Sequence, residues 1–119
     1  MARAPGMTAV FAIDDLIAYG AMTWLQLNQI SIPGQLSVAG ISDYPGSEFV
    51  YPPLTTVHVP YKAVGYETAR QLHRLCRGIE PHFKDEVLDA LAPRLVVRKS
   101  TGPVPGSEAF QTLNHKASQ

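Results

Sequence analysis

Five side chains in the first half of this 119-residue chain could do chemistry: Asp14, Asp15, Ser42, Asp43 and His58. Asp14 and Asp15 close one apolar run, and Ser42 and Asp43 close a second. An aspartate with His58 would provide the usual acid and base for proton transfer. No nucleophile elbow, phosphate loop or metal-ligand set accompanies them, so the chain is not expected to be an enzyme. His73 and Cys76 have the helical spacing of two metal ligands, but a site needs three or four, and His58, His82 and His115 form no matching pattern. No cofactor is expected. Asp14 and Ser42, each at the end of an apolar run, could face one pocket and hydrogen-bond a small ligand there. The plainer alternative stays open: Asp14 as a helix cap and Asp43 as a turn residue.

The elements that must position these groups are legible in order. Thr8 to Ile13 is apolar enough for a strand covered on both faces, and Asp14 then stops it and caps a helix over about Asp15 to Asn28. In that helix Leu16, Ile17, Ala18, Tyr19, Ala21, Met22, Trp24, Leu25 and Leu27 surround the axis, where a helix lying on one sheet needs only a stripe. Either it is buried inside one domain, or an outward face with Tyr19 and Met22 or Thr23 meets a second subunit. Pro33-Gly34 makes a turn, and Leu36 to Ile41 forms the next buried strand. Ser42 then falls level with Asp14, at the carboxyl ends of strands where open α/β sheets bind ligands. Pro52 and Pro53 leave Leu54 to Val57 as a short strand, expected at an edge.

Beyond Pro60, a helix from Tyr61 to about Arg77 carries an apolar stripe of Val64, Ala69, Leu72, Leu75 and Cys76. Arg70, His73, Arg74 and Arg77 lie opposite and read as a solvated face, and Gly78 ends the helix. An irregular connection follows Glu80-Pro81, and Pro93 to Arg98 is the last strand. Residues 101–119 turn to Gly, Pro, Ser, Asn and Lys and are expected to be a disordered tail. Ten basic and ten acidic residues cancel, which argues against nucleic-acid binding by bulk charge. The single Cys76, the lack of a long apolar leader and the lack of a membrane-length apolar run point to the cytoplasm and away from a membrane.

Four motifs in order resemble the C-terminal part of the lactose-repressor (LacI/GalR) family of bacterial transcription regulators. Thr8 to Met22 is similar to the family's strand-Asn-Asp-helix segment, and Ile32 to Gly40 to the segment before its aromatic-Asp-Asp motif. Tyr51 to Val57 resembles its Pro-Leu-Thr-Thr stretch, and Pro93 to Thr101 its closing Pro-Arg-Leu-x-x-Arg-x-Ser-Thr strand. The resemblance implies an α/β, periplasmic-binding-protein-like (type I) fold, a parallel sheet with flanking helices, as part of a two-subdomain sensor. Residues 1–7 would be an irregular N-terminus. Residues 8–100 would be the C-terminal part of the effector-binding and dimerisation domain, with 8–57 and 93–100 in the second subdomain and 61–88 a piece of the first.

Such a sensor binds a small effector, a sugar or a nucleobase, between its subdomains and changes DNA affinity by altering their closure. Carried over residue by residue, Asp14, Ser42, Tyr61 and Val64 would touch the effector, and Asp15 and Asp43 would be structural. Tyr19, Met22, Val50 and Tyr51 would form the homodimer interface. Ser42 stands where the family has a carboxylate that accepts hydrogen bonds from effectors, and Asp14 where it has an Asn. The DNA-reading headpiece, the hinge and most of the first subdomain would precede Thr8, so DNA would be reached only through a headpiece absent from this chain. The stripe of Val64, Leu72 and Leu75 would then have no cover, and the isolated chain is expected to be marginally stable or self-associating. The alternative is a stand-alone ligand-binding module, or a remnant, that forms mixed dimers with intact regulators.

Overall fold

A computed structural model of the protein describes residues 6–105. Expectations for residues 1–5 and 106–119, the outer parts of the irregular N-terminus and of the tail, lie outside the described residues. The elements run β1 (Ala9–Phe11), α1 (Asp15–Leu27), β2 (Ser37–Ser42), β3 (Thr55–His58), α2 (Tyr61–Cys76), α3 (Asp85–Leu91) and β4 (Arg94–Val96). The four strands form one sheet in the order β1-β2-β3-β4. β1 pairs parallel with β2 and β2 with β3, while β4 runs antiparallel to β3. A parallel pair needs a crossover, and α1 supplies it between β1 and β2.

α1 lies on the sheet through Asp15, Ala18, Met22 and Leu25, the three- and four-residue spacing of one helix face. These apolar residues join Ala12, Leu36, Val38 and Leu54 in the core, with Val10, Tyr19, Ile30, Ile32 and Val50 packed around them. Met22 is 2% exposed, which corrects its placement on the outward side: it shares the sheet-facing stripe with Ala18 and Leu25. The outward side instead shows Leu16, Ile17, Trp24 and Leu27 to solvent.

β3 is an interior strand, not the expected edge. Pro52 and Pro53 precede the strand, so their missing N–H groups cost the ladder nothing, and the Pro53 carbonyl accepts from the N–H groups of Lys99 and Ser100. Ser100 is fully buried and ties two strands together. Its Oγ donates to the Val38 carbonyl (2.6 Å) and accepts from Thr55 N (2.7 Å), and its carbonyl accepts from Val38 N (2.8 Å). The start of the expected tail is likewise tied in, through Thr101 Oγ1 to Thr55 Oγ1 (2.9 Å) and Gly102 N to Ser37 Oγ (3.2 Å).

α2 has the expected span, and its stripe is uncovered: Leu72 and Leu75 are exposed. Its buried residues are the polar pair Glu67 and Gln71. The Gln71 amide clasps His82 twice, donating to its carbonyl (2.8 Å) and accepting from its N–H (3.1 Å). The connection expected to be irregular holds α3, a two-turn helix with Asp85 and Glu86 in its first turn, where acidic side chains suit the helix dipole.

Candidate ligand-binding site

The site grows from a turn that its residue types alone would not favour. At the end of β2, Ser42 has φ of 123° and Asp43 of 54°, the left-handed region in two consecutive residues that are not glycine. Three sets of contacts hold them there. Parallel pairing aligns Ser42 with His58 on β3, and antiparallel pairing brings His58 opposite Arg94 on β4. Asp43 then meets His58 and Arg98: Arg98 Nη2 donates to Oδ1 (2.7 Å), and His58 Nδ1 lies 3.1 Å from Oδ2. Arg98 is anchored in turn, with Nη1 donating to the Leu54 carbonyl (2.8 Å) and its backbone N–H to Thr55 Oγ1 (2.9 Å). Burial alone would raise the Asp43 pKa, but the hydrogen bonds and charges of Arg98 and His58 prevail and hold it below the ordinary carboxylate value.

Asp15 fixes the loop that follows. Its carboxylate is fully buried and accepts from Thr56 Oγ1 (2.6 Å), Ser47 Oγ (2.6 Å) and Tyr44 N (3.1 Å). One side chain thus joins the start of α1, the interior strand β3 and the loop beyond β2. Gly40 makes room for it, since a Cβ there would collide with Asp15 Oδ1. Ser47 passes the connection outward through its Oγ to the Tyr19 hydroxyl (2.7 Å).

Above this frame lies an open cleft of about 630 Å³ between the Ser42–Pro45 turn and the segment from His58 to Tyr66. Buried Ser42 and half-exposed Tyr61 meet across it, their hydroxyls 3.1 Å apart, although they come from different elements. The rings of Tyr44, Tyr61 and Tyr66 line the cleft with Pro45 and Pro60. Lys62 stands on its rim at a helix start with no side-chain cap and no acidic residue in its first turn. A hydroxylated ring could lie against such aromatic walls and exchange hydrogen bonds with the hydroxyl pair.

Of the residues expected at an effector, the structure brings Ser42 and Tyr61 together. Asp14 does not line this cleft; it caps α1, its Oδ1 accepting from Leu16 N (2.8 Å). Val64, half-buried on α2, does not line it either. Asp43 and His58, considered in sequence as acid and base, are joined by a hydrogen bond here. Lys62, Tyr66 and Arg98 were not foreseen. Lys62 and Tyr66 follow Tyr61 at one and five positions and could have been found by continuing along α2, whereas Arg98 lies 55 residues from Asp43, with no local signal.

Of the residues expected at a subunit interface, Tyr51 is 83% exposed, and Val50 and Tyr19 are half-buried against the core. The Tyr51 carbonyl accepts from Gln26 Nε2, which sets this loop beside the end of α1. A second cleft of about 400 Å³ lies there, lined by Gln26, Gln29, Ile30, Tyr51 and Pro52 among others.

The periplasmic binding protein-like domain family matches residues 1–101. The HTH-type transcriptional regulator DegA of Bacillus subtilis is 38% identical over 97 residues, which are 82% of this chain and 28% of DegA. The crystal structure of the transcription regulator GntR from Chromobacterium violaceum superposes with a TM-score of 0.68 at 34% identity, over 79% of this chain and 34% of that one. The lac repressor dimer, solved bound to operator and the anti-inducer ONPF, gives a TM-score of 0.67 at 26% identity, over 81% of this chain and 32% of that one. The chain thus spans about a third or less of each relative. It belongs to the periplasmic binding protein-like domain family, in the form that LacI-family transcriptional regulators use as their sensor domain.

Proposed function

We propose that this chain is the effector-sensing and dimerising portion of a bacterial transcriptional regulator, and that its effector, a sugar or nucleobase-like small molecule, binds in the cleft between the Ser42–Pro45 turn and the start of α2. One observation carries the reading: Ser42 and Tyr61, from separate elements, place their hydroxyls 3.1 Å apart at the floor of an aromatic-lined cleft. Asp15, Asp43 and Arg98 hold that floor in a backbone conformation of a kind found at functional sites. Residues 61–88 would contribute one wall of a two-subdomain cleft, with closure over the effector as the switched motion. The exposed side of α1, with Leu16, Ile17, Trp24 and Leu27 and the neighbouring Tyr51, would form the homodimer contact. Asp14 and Val64 would join the effector only on closure, since neither lines the open cleft. DNA would be read through a headpiece that these 119 residues do not include, in a cytoplasmic regulator.

The test is ligand-observed NMR on the 119-residue chain with a panel of monosaccharides, disaccharides and nucleobases. Tyr61→Phe, which removes one hydroxyl and keeps the ring, is expected to weaken any bound ligand by about 5- to 10-fold, the effect of one hydrogen bond. Binding that ignores both Tyr61→Phe and Ser42→Ala would place the ligand elsewhere.

A further inference from the structure

The polar groups of the cleft are unevenly occupied by partners within the chain. Among the described residues Asp43 is the one carboxylate lining it, and both its oxygens accept, from Arg98 Nη2 and His58 Nδ1. An ionised carboxylate only accepts, so the His58 tautomer that pairs with Asp43 carries its proton on Nδ1 and leaves Nε2 as an acceptor. The Ser42 and Tyr61 hydroxyls use one of their two protons on each other, which leaves one to donate. Lys62 is exposed on the rim and forms no ion pair among the described residues. Arg98 and Asp43 cancel, so the charge left without a partner in the cleft is positive. Among the described residues no second carboxylate lines the open cleft to take the hydroxyl donors of a neutral sugar; Asp14, whose Oδ1 accepts from Leu16 N at the start of α1, lies outside it.

We infer that the ligand of this cleft is an anionic sugar, a hydroxylated ring bearing a carboxylate or a phosphate. Lys62 pairs with its acid group, while His58 Nε2 and the Ser42–Tyr61 hydroxyl pair hold ring hydroxyls. The inference rests on the reading of this cleft as the effector site and narrows the ligand class.

Glucose and glucuronate test it, because they differ only in a carboxylate at C6, with glucose 6-phosphate as the phosphate counterpart. Each is titrated into the 119-residue chain by isothermal calorimetry at low and high salt. One of the two anions is expected to bind about ten-fold or more tighter than glucose, the scale of one charge-assisted contact, and which one does so tells carboxylate from phosphate. Raised salt and Lys62→Gln, a change on an exposed rim position, should each erase that preference. Glucose binding as well as both anions would overturn the inference and leave the cleft reading standing. A preference that survives both high salt and Lys62→Gln would overturn it as well. Binding of none of the three would overturn the inference together with the cleft reading.

Discussion

Asp15 shows how much one side chain carries at the residue scale. A buried carboxylate is costly unless its lone pairs are met, and here three donors from two other segments meet them. Asp15→Ala should therefore cost about 3–5 kcal/mol in a urea melt, since it strands two hydroxyls and a backbone N–H, whereas Asp15→Asn should cost about 1–3 kcal/mol. A loss below 1 kcal/mol for the alanine would contradict this account of the turn. Gly40→Ala should be destabilising for the same reason, because its methyl group collides with the Asp15 carboxylate. Asp43 behaves differently, since its partners are charged. Its folded pKa lies below the ordinary value, so the unfolded chain takes up the proton more readily than the folded one. The stabilisation is complete above the ordinary carboxylate range and disappears as pH falls through the lower folded value. In Arg98→Met the acid limb of the stability–pH curve should flatten, as followed by circular dichroism. The sequence already separates the two neighbours, Asp14 as a helix cap or effector contact and Asp15 as a structural residue. Their roles diverge because Asp14 stands outside the first turn and caps it, while Asp15, one residue on, turns under the sheet to Ser47 and Thr56.

Element order was readable from alternating apolar runs and turn signals because β1, α1 and β2 obey the local rules of period and capping. β3 was misplaced at an edge because two prolines suggested a strand with a free side, and only the antiparallel return of β4 from 40 residues away shows that they sit outside the ladder. α3 was missed because its buried surface is slight: none of its residues is buried, so no stripe marks it. α2 is held by polar contacts where its pattern suggested apolar ones. Glu67 accepts from Arg70 Nε and Nη2 and from Gln71 Nε2, and these hydrogen bonds, the Arg70 pair first, hold its pKa down at about 2. Being depressed, that pKa stabilises α2 above the ordinary glutamate range, and the effect is lost as pH falls toward about 2. Glu67→Gln should remove this acid sensitivity from α2 and free Arg70. The check is amide hydrogen exchange over residues 61–91, which should quicken in the variant while exchange in β2 and β3 stays slow.

At the scale of the whole molecule, the chain leaves large apolar side chains uncovered on several sides. Phe11, Ile13, Leu16 and Ile17 lie at β1 and the start of α1, Phe49 and Tyr51 lie in the loop before β3, and Leu72 and Leu75 lie on α2. Contiguous exposed apolar area beyond a few hundred Å² is rare on monomers, so sedimentation velocity should show the 119-residue chain self-associating at micromolar concentration. Trp24→Glu with Tyr51→Glu, on the outward side of α1 and its neighbouring loop, should lower the association state, and a sharp cooperative melt of a monomer would contradict this picture. The family was readable from four motifs because each marks a local device: a cap, a turn, a proline-guarded strand and the Ser-Thr pair that ties β2 to β3. The cleft was only half readable, because Ser42 and Tyr61 meet through the register of a sheet that no local pattern announces. The central claim is that a small ligand binds between the Ser42–Pro45 turn and the start of α2, and backbone amide NMR shifts of the labelled chain during a ligand titration test it most directly. Shifts concentrated at residues 42–44 and 58–66 are the predicted result. Shifts confined to the second cleft around Gln26, Gln29 and Tyr51 would contradict it.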